Sequence, residues 1–422
     1  MLLIRKLIVI FTLFLCGFCS FIVEIYADTH TATSCSLSNV TAAYNAASVG
    51  DVVAMPAGNC SWSTGLTITK GIALQGAGVD ATTIINTGTR SLIDISVSSN
   101  VTVRITGIYF DNVSNNDSRN AINVNGKTDG SFGLTKLRIH NNTFNKGARA
   151  VHVKGWVYGL LDNNTFINSD VAVGITGDNN YSWSRPIIAG TADALFIEDN
   201  TFIIDNNADR EPNEQIYHQE GGRTVVRYNT FDGTSYTAGN SLFFDSHGNQ
   251  NYYVGTNADF RGQPILEIYG NTFSSYKTYR MIYLRGGSVL FWGNTLTNAV
   301  VSPDILQATD EESWQTAFFS VLATKWSAQD QINNSFFWNN TYNEIPIADI
   351  VLRKSSDSTF IQKDRDYFMH APQSSGGKST YYGRAGGEMT FSSEGANAYY
   401  PYEPYTYPHP SRSTPNSPLR LR

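Results

Sequence analysis

The tripeptide Asn-Thr-Phe recurs through the middle of the chain and constrains the fold more than any other feature. Its seven copies, of which five end in Phe and the last two in Leu and Tyr, begin at Asn142, Asn164, Asn200, Asn229, Asn271, Asn294 and Asn340. An apolar residue lies three positions before each of these asparagines. Repeats with a period of about 20 to 50 residues are typical of solenoids. The pattern therefore predicts a chain wound into stacked coils.

Each copy of the motif predicts a strand that bends and then continues. Asparagine tolerates the left-handed backbone that such a bend needs, so we expect the bend at the asparagine itself. In coils stacked about 4.8 Å apart, the asparagine amides would form a hydrogen-bonded ladder. The aromatic residue would point inward and stack on its copies in neighbouring coils, and the threonine would face outward.

The spacing of the motif shows where the coils carry extra residues. Successive asparagines are separated by 22, 36, 29, 42, 23 and 46 residues. The two shortest steps match one bare coil of a β-helix. The longer steps match either one coil with an inserted loop or two coils of which one lacks the asparagine. Insertions in solenoids tend to gather on one face, which is often the binding face.

The segment before the first motif predicts an N-terminal cap. Ser38 or Asn39 can cap a short helix from residue 40 to about residue 48. A turn at Gly50 follows, and then apolar runs of strand length. The predicted strands after the turn cover residues 66–69, 72–75 and 82–85.

This capping region also carries a family resemblance. The stretches Gly-Asp-Val-Val-Ala-Met-Pro-Ala-Gly and Leu-Thr-Ile-Thr-Lys-Gly-Ile-Ala-Leu-Gln-Gly-Ala-Gly resemble the cap and first coils of the pectate-lyase-like superfamily. With the motif coils, the resemblance covers roughly residues 38 to 345. It implies an all-β fold, a right-handed parallel β-helix with a short capping helix. Because the superfamily includes lyases, hydrolases, epimerases, phage tailspikes and adhesins, the resemblance implies no single chemistry.

The first residues predict export from the cell. Arg5 and Lys6 precede a nearly continuous apolar run over residues 7–23, and a polar stretch begins at Asp28. This pattern predicts a signal peptide over residues 1–27 and a secreted or cell-surface protein, with an uncleaved membrane anchor as the alternative. No later segment is apolar enough to cross a bilayer. The formal net charge of −6 provides no basic field for nucleic acid.

Two cysteines remain after the signal segment. Cys35 and Cys60 predict one disulfide that closes a loop over the N-terminal cap, because a lone pair in an exported chain is usually oxidised. Two buried free thiols are the alternative. Two cysteines without clustered histidines do not indicate a zinc site.

The C-terminal part departs from the repeat. We predict a β-helix over residues 28–370 and a tail over residues 371–422, which is first Gly- and Ser-rich and then Tyr- and Pro-rich. Proline every few residues prevents helix formation and ladder pairing, so an extended backbone is expected. The tail either packs along the last coils or docks a partner.

Outward-facing polar residues on neighbouring strands predict a catalytic site. Alternation along one strand places Asp245 and His247 on the same face, and alternation along the next does the same for Tyr283 and Arg285. We predict that the catalytic groups form one column on adjacent coils: Glu214, His218, Asp245, His247, Tyr283 and Arg285. The predicted substrate-binding residues are Arg223, Arg227, Arg280 and Trp314. The alternative is an ordinary solvated surface.

These residue types suit β-elimination from a uronic acid. Arginine can bind the uronate carboxylate through two hydrogen bonds, and His247 or His218 titrates near neutrality. Asp245 could orient His247, and a tyrosine could protonate the leaving oxygen. The segments beginning at Leu284 and Asp245 resemble the Leu-Arg-His-Gly segment of the chondroitinase B and alginate lyase family, which implies a lyase acting on an extracellular acidic polysaccharide. This chain lacks that family's upstream lysine and its histidine after the arginine.

Two other functions stay open at this point. An inverting glycoside hydrolase needs two carboxylates about 6.5–9.5 Å apart, and Glu214 or Glu220 facing Asp245 could supply them. A glycan-binding protein, an adhesin or an extracellular structural protein would need no coupled acid and base. No cofactor is required by any motif, and calcium could bind Asp- and Asn-rich loops at residues 111–117 or 205–209.

Overall fold

Short strands separated by sharp bends wind the chain into a right-handed parallel β-helix, which confirms the predicted fold class. The computed structural model describes residues 27–113, 120–185, 188–208, 214–238, 241–248, 262–275, 278–298, 305–309, 332–359, 361–372 and 402–413. In these residues a typical coil contributes one strand to each of three long sheets. The strands pair in parallel with those of the neighbouring coils, except for one antiparallel pair near the C-terminal end of the helix.

The three sheets are numbered in the order in which a coil passes through them. Sheet 1 has twelve strands: β1 (Thr29–Thr31), β2 (Val52–Ala54), β5 (Ala73–Gln75), β8 (Val103–Thr106), β11 (Leu134–His140), β14 (Val157–Asp162), β17 (Leu195–Glu198), β20 (Thr224–Arg227), β23 (Leu266–Tyr269), β26 (Val289–Trp292), β29 (Ser335–Trp338) and β33 (Tyr367–Phe368). Sheet 2 has eleven: β3 (Gly58–Trp62), β6 (Thr82–Asn86), β9 (Tyr109–Asp111), β12 (Thr143–Asn145), β15 (Thr165–Ile167), β18 (Thr201–Ile203), β21 (Thr230–Gly233), β24 (Thr272–Ser275), β27 (Thr295–Thr297), β30 (Thr341–Tyr342) and β31 (Ile345–Pro346). Sheet 3 has ten: β4 (Leu66–Ile68), β7 (Ile93–Ile95), β10 (Asn120–Asn125), β13 (Arg149–Lys154), β16 (Val171–Thr176), β19 (Glu214–Gln219), β22 (Ser241–Ser246), β25 (Thr278–Leu284), β28 (Leu306–Ala308) and β32 (Val351–Leu352). The helices of the described residues are α1 (Leu37–Ala46), α2 (Asn180–Ser184) and two 3-10 helices, Ser355–Thr359 and Pro410–Arg412.

The motif asparagines form the predicted ladder at the bend between sheets 1 and 2. Along the coils, the side-chain amide of each asparagine donates to the side-chain oxygen of the next, at 3.0–3.2 Å. The backbone N–H of each donates to the same oxygen, as from Asn200 to Asn229 at 2.9 Å. Because the asparagines are buried, these N–H donors cannot reach water and would have no hydrogen-bond acceptor without the ladder.

The aromatic residues of the motif stack inside the coil, as predicted. Their rings lie nearly parallel, with centroids 4.4–5.2 Å apart. The stack contains the motif residues Phe144, Phe166, Phe202, Phe231 and Phe273, and it is extended by Phe110 of the coil before the first motif. The motif threonines between them are half-buried or exposed on the outer face of sheet 2.

The prediction that the motif asparagine itself takes the left-handed backbone is wrong. The residue with positive φ is the one before it, as at Asn141 (φ 52°), Asp199 (φ 55°) and Tyr228 (φ 57°). The reason is the second hydrogen bond of the ladder amide. Asn142 also donates to the carbonyl of His140 at 2.9 Å, which brings the side chain back across the bend. The intervening residue therefore makes the turn.

Every step between motif asparagines is a single coil, because the strands that precede them are consecutive neighbours in sheet 1. The longer steps therefore carry insertions. The extra residues all lie in connections that lead into or out of sheet 3, namely 177–194, 204–213, 234–240, 247–265, 298–305 and 309–334. Each of these connections therefore begins or ends at a strand of sheet 3.

The N-terminal cap is held by helix α1 and a disulfide. The predicted bond between Cys35 and Cys60 is present, with the Cα atoms 5.7 Å apart. The helix begins earlier than predicted, because the hydroxyl of Ser36, and not that of Ser38, accepts the backbone N–H of Asn39. Val40 is fully buried against the first coils. No helix in the described residues is long and apolar enough to span a membrane.

The end of the tail forms a segment, here called the strap, that covers the outer face of sheet 1. The strap comprises residues 402–413 and runs from Tyr402, next to Trp338 of β29, to Arg412, which contacts Asp162 of β14. The tail was expected to pack along the last coils. The strap instead reaches back from β29 to β14, in the middle of the β-helix. The predicted signal segment, apart from residue 27, and most of the Gly- and Ser-rich part of the tail lie outside the described residues.

Candidate active site

Five of the six predicted catalytic residues lie on the outer face of sheet 3, on or just after strands β19, β22 and β25. The parallel register arranges the side chains of this face in rows that run along the axis of the β-helix. Three rows are named here by their position along the strands of sheet 3. The start row, near the beginning of the strands, contains Arg149, Val171, Glu214 and Arg280. The middle row contains His152, Gly174, Tyr217, Asp245, Tyr283 and Gln307, and the end row, near the ends of the strands, contains Lys154, Thr176, Gln219, His247 and Arg285. Residues of one row in adjacent coils are about 4.8 Å apart.

Asp245, His247 and Arg285 form a compact triangle. The guanidinium of Arg285 donates to both carboxylate oxygens of Asp245, with 2.9 Å between Nε and Oδ1. Its Nη2 lies 2.7 Å from Nε2 of His247, which is 3.4 Å from Oδ2 of Asp245. The sequence predicted that Asp245 would orient the histidine. In the structure the arginine lies between the two and holds the carboxylate more closely than the histidine does.

Tyr283 lies among three arginines. Arg353, in the turn after β32, donates a hydrogen bond to its hydroxyl. The guanidinium carbons of Arg280, Arg285 and Arg353 are 4.1, 5.1 and 5.4 Å from the centre of its ring. Burial raises the pKa of Tyr283, and the hydrogen bond from Arg353 and the positive charges around the ring oppose that rise. The cations therefore favour the phenolate form relative to an equally buried tyrosine in neutral surroundings.

Glu214 supplies a second carboxyl group to the site. Its side chain is buried, and burial together with the nearby negative charge of Asp245 raises its pKa to about 8. The charges of Arg285 and Arg149 oppose this rise. At neutral pH, Glu214 is therefore mostly protonated, and it can donate a hydrogen bond where an ionised carboxylate could only accept one.

Four residues of the middle row were not predicted as site residues, namely His152, Gly174, Tyr217 and Gln307. The ring of Tyr217 lies over Gly174, where a Cβ atom would be 2.6 Å from Cε1 of the tyrosine. The Tyr217 hydroxyl is 3.2 Å from Nε2 of His152, which is itself 3.2 Å from Oγ1 of Thr176. Burial lowers the pKa of His152 to about 3, helped by the charges of Arg149 and Lys154, so this imidazole is neutral.

His218, predicted as a catalytic residue, points into the core and not toward the site. It is fully buried, burial lowers its pKa to about 3, and its Nε2 lies 2.5 Å from the hydroxyl of Thr224. The register pairs Tyr217, and not His218, with Asp245. Counted from the motif asparagine of its own coil, β19 is offset by one residue from β22, because the connections before the two strands differ in length. An offset of one residue exchanges the inward and outward faces of a strand. Matching the buried Ile216 with Phe244 would have identified Tyr217 as the outward residue.

The predicted substrate-binding residues separate into two groups. Arg280 lies in the site, on the ring of Tyr283. Arg223 lies in the turn between sheets 3 and 1 and donates to the backbone of Ser182 and Arg185. Glu220, the alternative carboxylate, is likewise in the turn after β19. Trp314 lies outside the described residues.

Arg227, also predicted to bind substrate, lies on the outer face of sheet 1 beneath the strap. It forms a fully buried ion pair with Glu198, with 2.6 Å between Nη2 and Oε2. It also donates to the backbone carbonyls of Tyr405 and Thr406 in the strap. Its partners belong to the protein itself, so its role is to hold the strap.

The loops proposed for calcium use their described aspartates in turns. Asp111 accepts hydrogen bonds from Asn145 and from the backbone of Val113, and Asp205 accepts them from Asn168 and from the backbone of Asn207. Within the described ranges no group of three or more His, Cys, Asp or Glu side chains is placed to hold a metal ion. Calcium binding stays a prediction.

Comparison with known proteins gives similarity to solved structures alone. No protein-family model and no curated protein matches the chain. An alginate lyase from Paenibacillus sp. str. FPU-7 is 12% identical, with a TM-score of 0.37, over 78% of this chain and 98% of that chain. The catalytic domain of a GH87 α-1,3-glucanase in complex with nigerose is 10% identical, with a TM-score of 0.34, over 82% and 68%. ORF18 of Geobacillus virus E2 is 15% identical, with a TM-score of 0.32, over 65% and 54%.

Proposed function

We propose that this protein is a secreted carbohydrate-active enzyme that cleaves an acidic polysaccharide by β-elimination on the outer face of sheet 3. The observation that carries the proposal is the placement of Tyr283, whose hydroxyl receives a hydrogen bond from Arg353 and whose ring lies against Arg280 and Arg285. Burial keeps the pKa of Tyr283 above its ordinary value, but the guanidinium groups let it lose its proton more easily than an equally buried phenol among neutral groups. The same guanidinium groups attract a uronate.

The steps of β-elimination can be assigned to these residues. Arg280 and Arg353 bind the uronate carboxylate, and their charge stabilises the negative charge that develops when the C5–H bond breaks. The Tyr283 phenolate removes the C5 proton. The electron pair forms the C4–C5 double bond and the C4–O bond breaks. The protonated Tyr283 then gives its proton to the leaving glycosidic oxygen, so that the proton and electron count closes without a cofactor.

Two neighbouring groups assist this reaction. Asp245 holds the Arg285 guanidinium by two hydrogen bonds, which fixes that charge beside the ring of Tyr283. Glu214, protonated at neutral pH because its pKa is raised to about 8, adds no negative charge to repel a uronate. His247 lies against Arg285 and Tyr217 at the more exposed border of the site.

The first test measures cleavage of a panel of acidic polysaccharides: pectate, alginate, chondroitin and glucuronan. Ultraviolet absorbance from the unsaturated uronide should rise with one of them, and Tyr283→Phe should lower the rate by about 10²-fold or more, because it removes the only group that transfers protons. Tyr109→Phe, on the outer face of sheet 2, is the matched control and should keep full activity. If Tyr283→Phe cleaved the polymer at the wild-type rate, Tyr283 would not be the group that transfers the proton.

Glycoside hydrolysis is the second candidate, and the pairing of Glu214 with Asp245 favours it. A glycosidase uses two carboxyl groups as its acid and its base, and the raised pKa of Glu214 suits the acid. In that case new reducing ends would appear without the ultraviolet signal, and Glu214→Gln would abolish the reaction. Under β-elimination the same variant should stay active. If neither ultraviolet absorbance nor new reducing ends appeared, a non-catalytic glycan-binding or structural role would be favoured.

A further inference from the structure

The outer face of sheet 3 has a second set of cations, far from Tyr283. Strand β13 carries Arg149 in the start row and Lys154 in the end row, and both side chains are half-buried. The guanidinium carbon of Arg149 lies 5.5 Å from the centre of the Tyr217 ring. That ring in turn lies over Gly174 of β16, so Arg149 reaches toward the middle row. His152 also belongs to the middle row, and burial is the larger cause of its lowered pKa, but both cations lie close enough for their charges to lower that pKa further.

Neither cation forms an ion pair with a carboxylate among the described residues, although the charge of Arg149 acts on Glu214. Arg285 on the same face is, by contrast, held by Asp245. The Nε atom of Arg149 is moreover buried without a hydrogen-bond partner. Keeping a guanidinium half-buried without an anion costs free energy, and a bound anion would offset that cost.

The space between the two cations is polar and uncharged. It is lined by the hydroxyls of Tyr217 and Thr176 and by the neutral imidazole of His152, which form a chain of contacts at 3.2 Å. In addition, the side-chain amide of Gln219 donates to the Thr176 hydroxyl at 3.3 Å. Hydroxyls and amides of this kind can hydrogen-bond sugar hydroxyls without repelling a carboxylate.

We propose that Arg149 and Lys154 form a second anion subsite, which holds a carboxylate of the same polymer whose cleavage takes place at Tyr283. This inference rests on the proposed function for the identity of the polymer. Strand β13, which carries Arg149 and Lys154, and strand β25, which carries Tyr283, are separated by four coils, or about 19 Å. The substrate is therefore a chain with repeated anionic residues, lies along the axis of the β-helix, and is cut internally.

The test separates binding from cleavage. The inactive Tyr283→Phe protein is titrated with alginate and with pectate, with dextran as the uncharged polymer. Adding Arg149→Gln and Lys154→Gln should weaken polyuronate affinity by roughly 10- to 100-fold, as expected for the loss of charge-assisted hydrogen bonds, and should reduce its dependence on salt. Lys136→Gln, an exposed cation on β11 of sheet 1, is the matched control and should leave affinity unchanged.

In the active protein, the same pair of substitutions should raise KM for long polyuronates and leave kcat unchanged, because the subsite binds ground state and transition state alike. Oligosaccharides too short to span the four coils should show no change. Unchanged polymer affinity, or an equal loss with short and long substrates, would overturn the subsite. If the wild type cleaved none of the polymers but its polyuronate affinity still depended on Arg149 and Lys154, the proposed lyase activity would be rejected and the subsite would stand.

Discussion

At the scale of single residues, the outer face of sheet 3 places long cationic side chains around a few oxygen-bearing groups. Arg285 is fixed by Asp245, and Arg353 by the hydroxyl of Tyr283. Guanidinium groups held in this way are ready to receive a planar carboxylate, because little rotamer freedom is left to lose. The cost is the burial of several like charges close together. Neutral Glu214 and the Asp245 carboxylate limit that cost.

The pH dependence of cleavage should report Glu214. Its pKa is raised to about 8, so as the pH rises through that value the group loses its proton and places a negative charge beside the substrate carboxylate. We expect kcat/KM to fall over this range in the wild type. Glu214→Gln should remain active at neutral pH and should lack this alkaline fall, whereas the control Glu220→Gln should keep it. Loss of activity by Glu214→Gln at every pH would instead assign Glu214 as a proton donor.

At the scale of elements, the asparagine ladder and the strap fasten the coils from two sides. The ladder satisfies buried backbone and side-chain groups at every bend between sheets 1 and 2. The strap lies across the outer face of sheet 1, where Arg138 and Arg227 donate to its backbone carbonyls and Glu198 accepts the N–H of His409. Because parallel coils contact their immediate neighbours alone, a segment that crosses several of them adds long-range cooperativity.

Removing one ladder asparagine should be costly. Asn229→Ala deletes the amide bonds to Asn271, Ile197 and Arg227, and leaves the backbone N–H of Asn200 without its acceptor. We expect the free energy of unfolding to fall by about 3–5 kcal/mol, as for other broken buried networks. Thr230→Ala, at the next residue on the exposed face, should change it by less than about 0.5 kcal/mol. Chemical denaturation of both variants measures the difference, and equal effects would contradict the role of the ladder.

Stability should also depend on Glu267, which lies beneath the strap. Burial raises its pKa to about 7 although the backbone N–H of Gly190 donates to it at 2.9 Å. The unfolded chain releases this proton near the ordinary pKa of 4.5 and the folded chain releases it near 7, so the folded state holds more protons between these values. The free energy of unfolding should therefore fall as the pH rises from about 4.5 to about 7, by up to about 3 kcal/mol from this group.

In Glu267→Gln the decline due to this group should disappear, and the variant should be more stable than the wild type above pH 7. Thermal unfolding across this pH range is the measurement, with Glu403→Gln on the exposed side of the strap as the control. The assignment fails if Glu267→Gln and the wild type show the same pH dependence.

At the scale of the whole molecule, a stack of coils has two ends, and the N-terminal end is closed by helix α1 and the disulfide. The bond between Cys35 and Cys60 joins residues 25 positions apart and fastens the cap to β3 of sheet 2. An uncapped end would expose the core and the edge strands of the sheets.

Replacing both cysteines by serine should therefore lower stability by about 3 kcal/mol, the loop-closure value for a loop of this length. The loss should appear first in the N-terminal coils, as faster amide hydrogen exchange in β2 and β5 than in β20 and β23. A reducing agent should destabilise the wild type and leave the double variant unaffected. Uniform acceleration of exchange along the whole chain would show that the cap does not act locally.

Much of the architecture can be predicted from sequence because it follows from a repeated local pattern. The asparagine, the inward aromatic and the apolar residue before them each occupy the same place in every motif coil, so that one coil predicts the others. The position of the left-handed residue, one before each ladder asparagine, could not be read from composition. It depends on a hydrogen bond from the asparagine amide back across the bend, as from Asn142 to His140.

The candidate site depended on tertiary structure for a different reason. Asp245, His247, Tyr283 and Arg285 were predicted together because their strands alternate cleanly. His218 was misplaced because a one-residue shift in a preceding connection reverses the faces of a strand. Arg353, the closest partner of Tyr283, is 70 residues away in sequence and reaches it because the coils stack. The coil and its interior thus follow from the sequence pattern, because that pattern is local and periodic. Which surface groups meet depends on the register of the stacked coils, because this register brings together residues that no spacing along the chain relates.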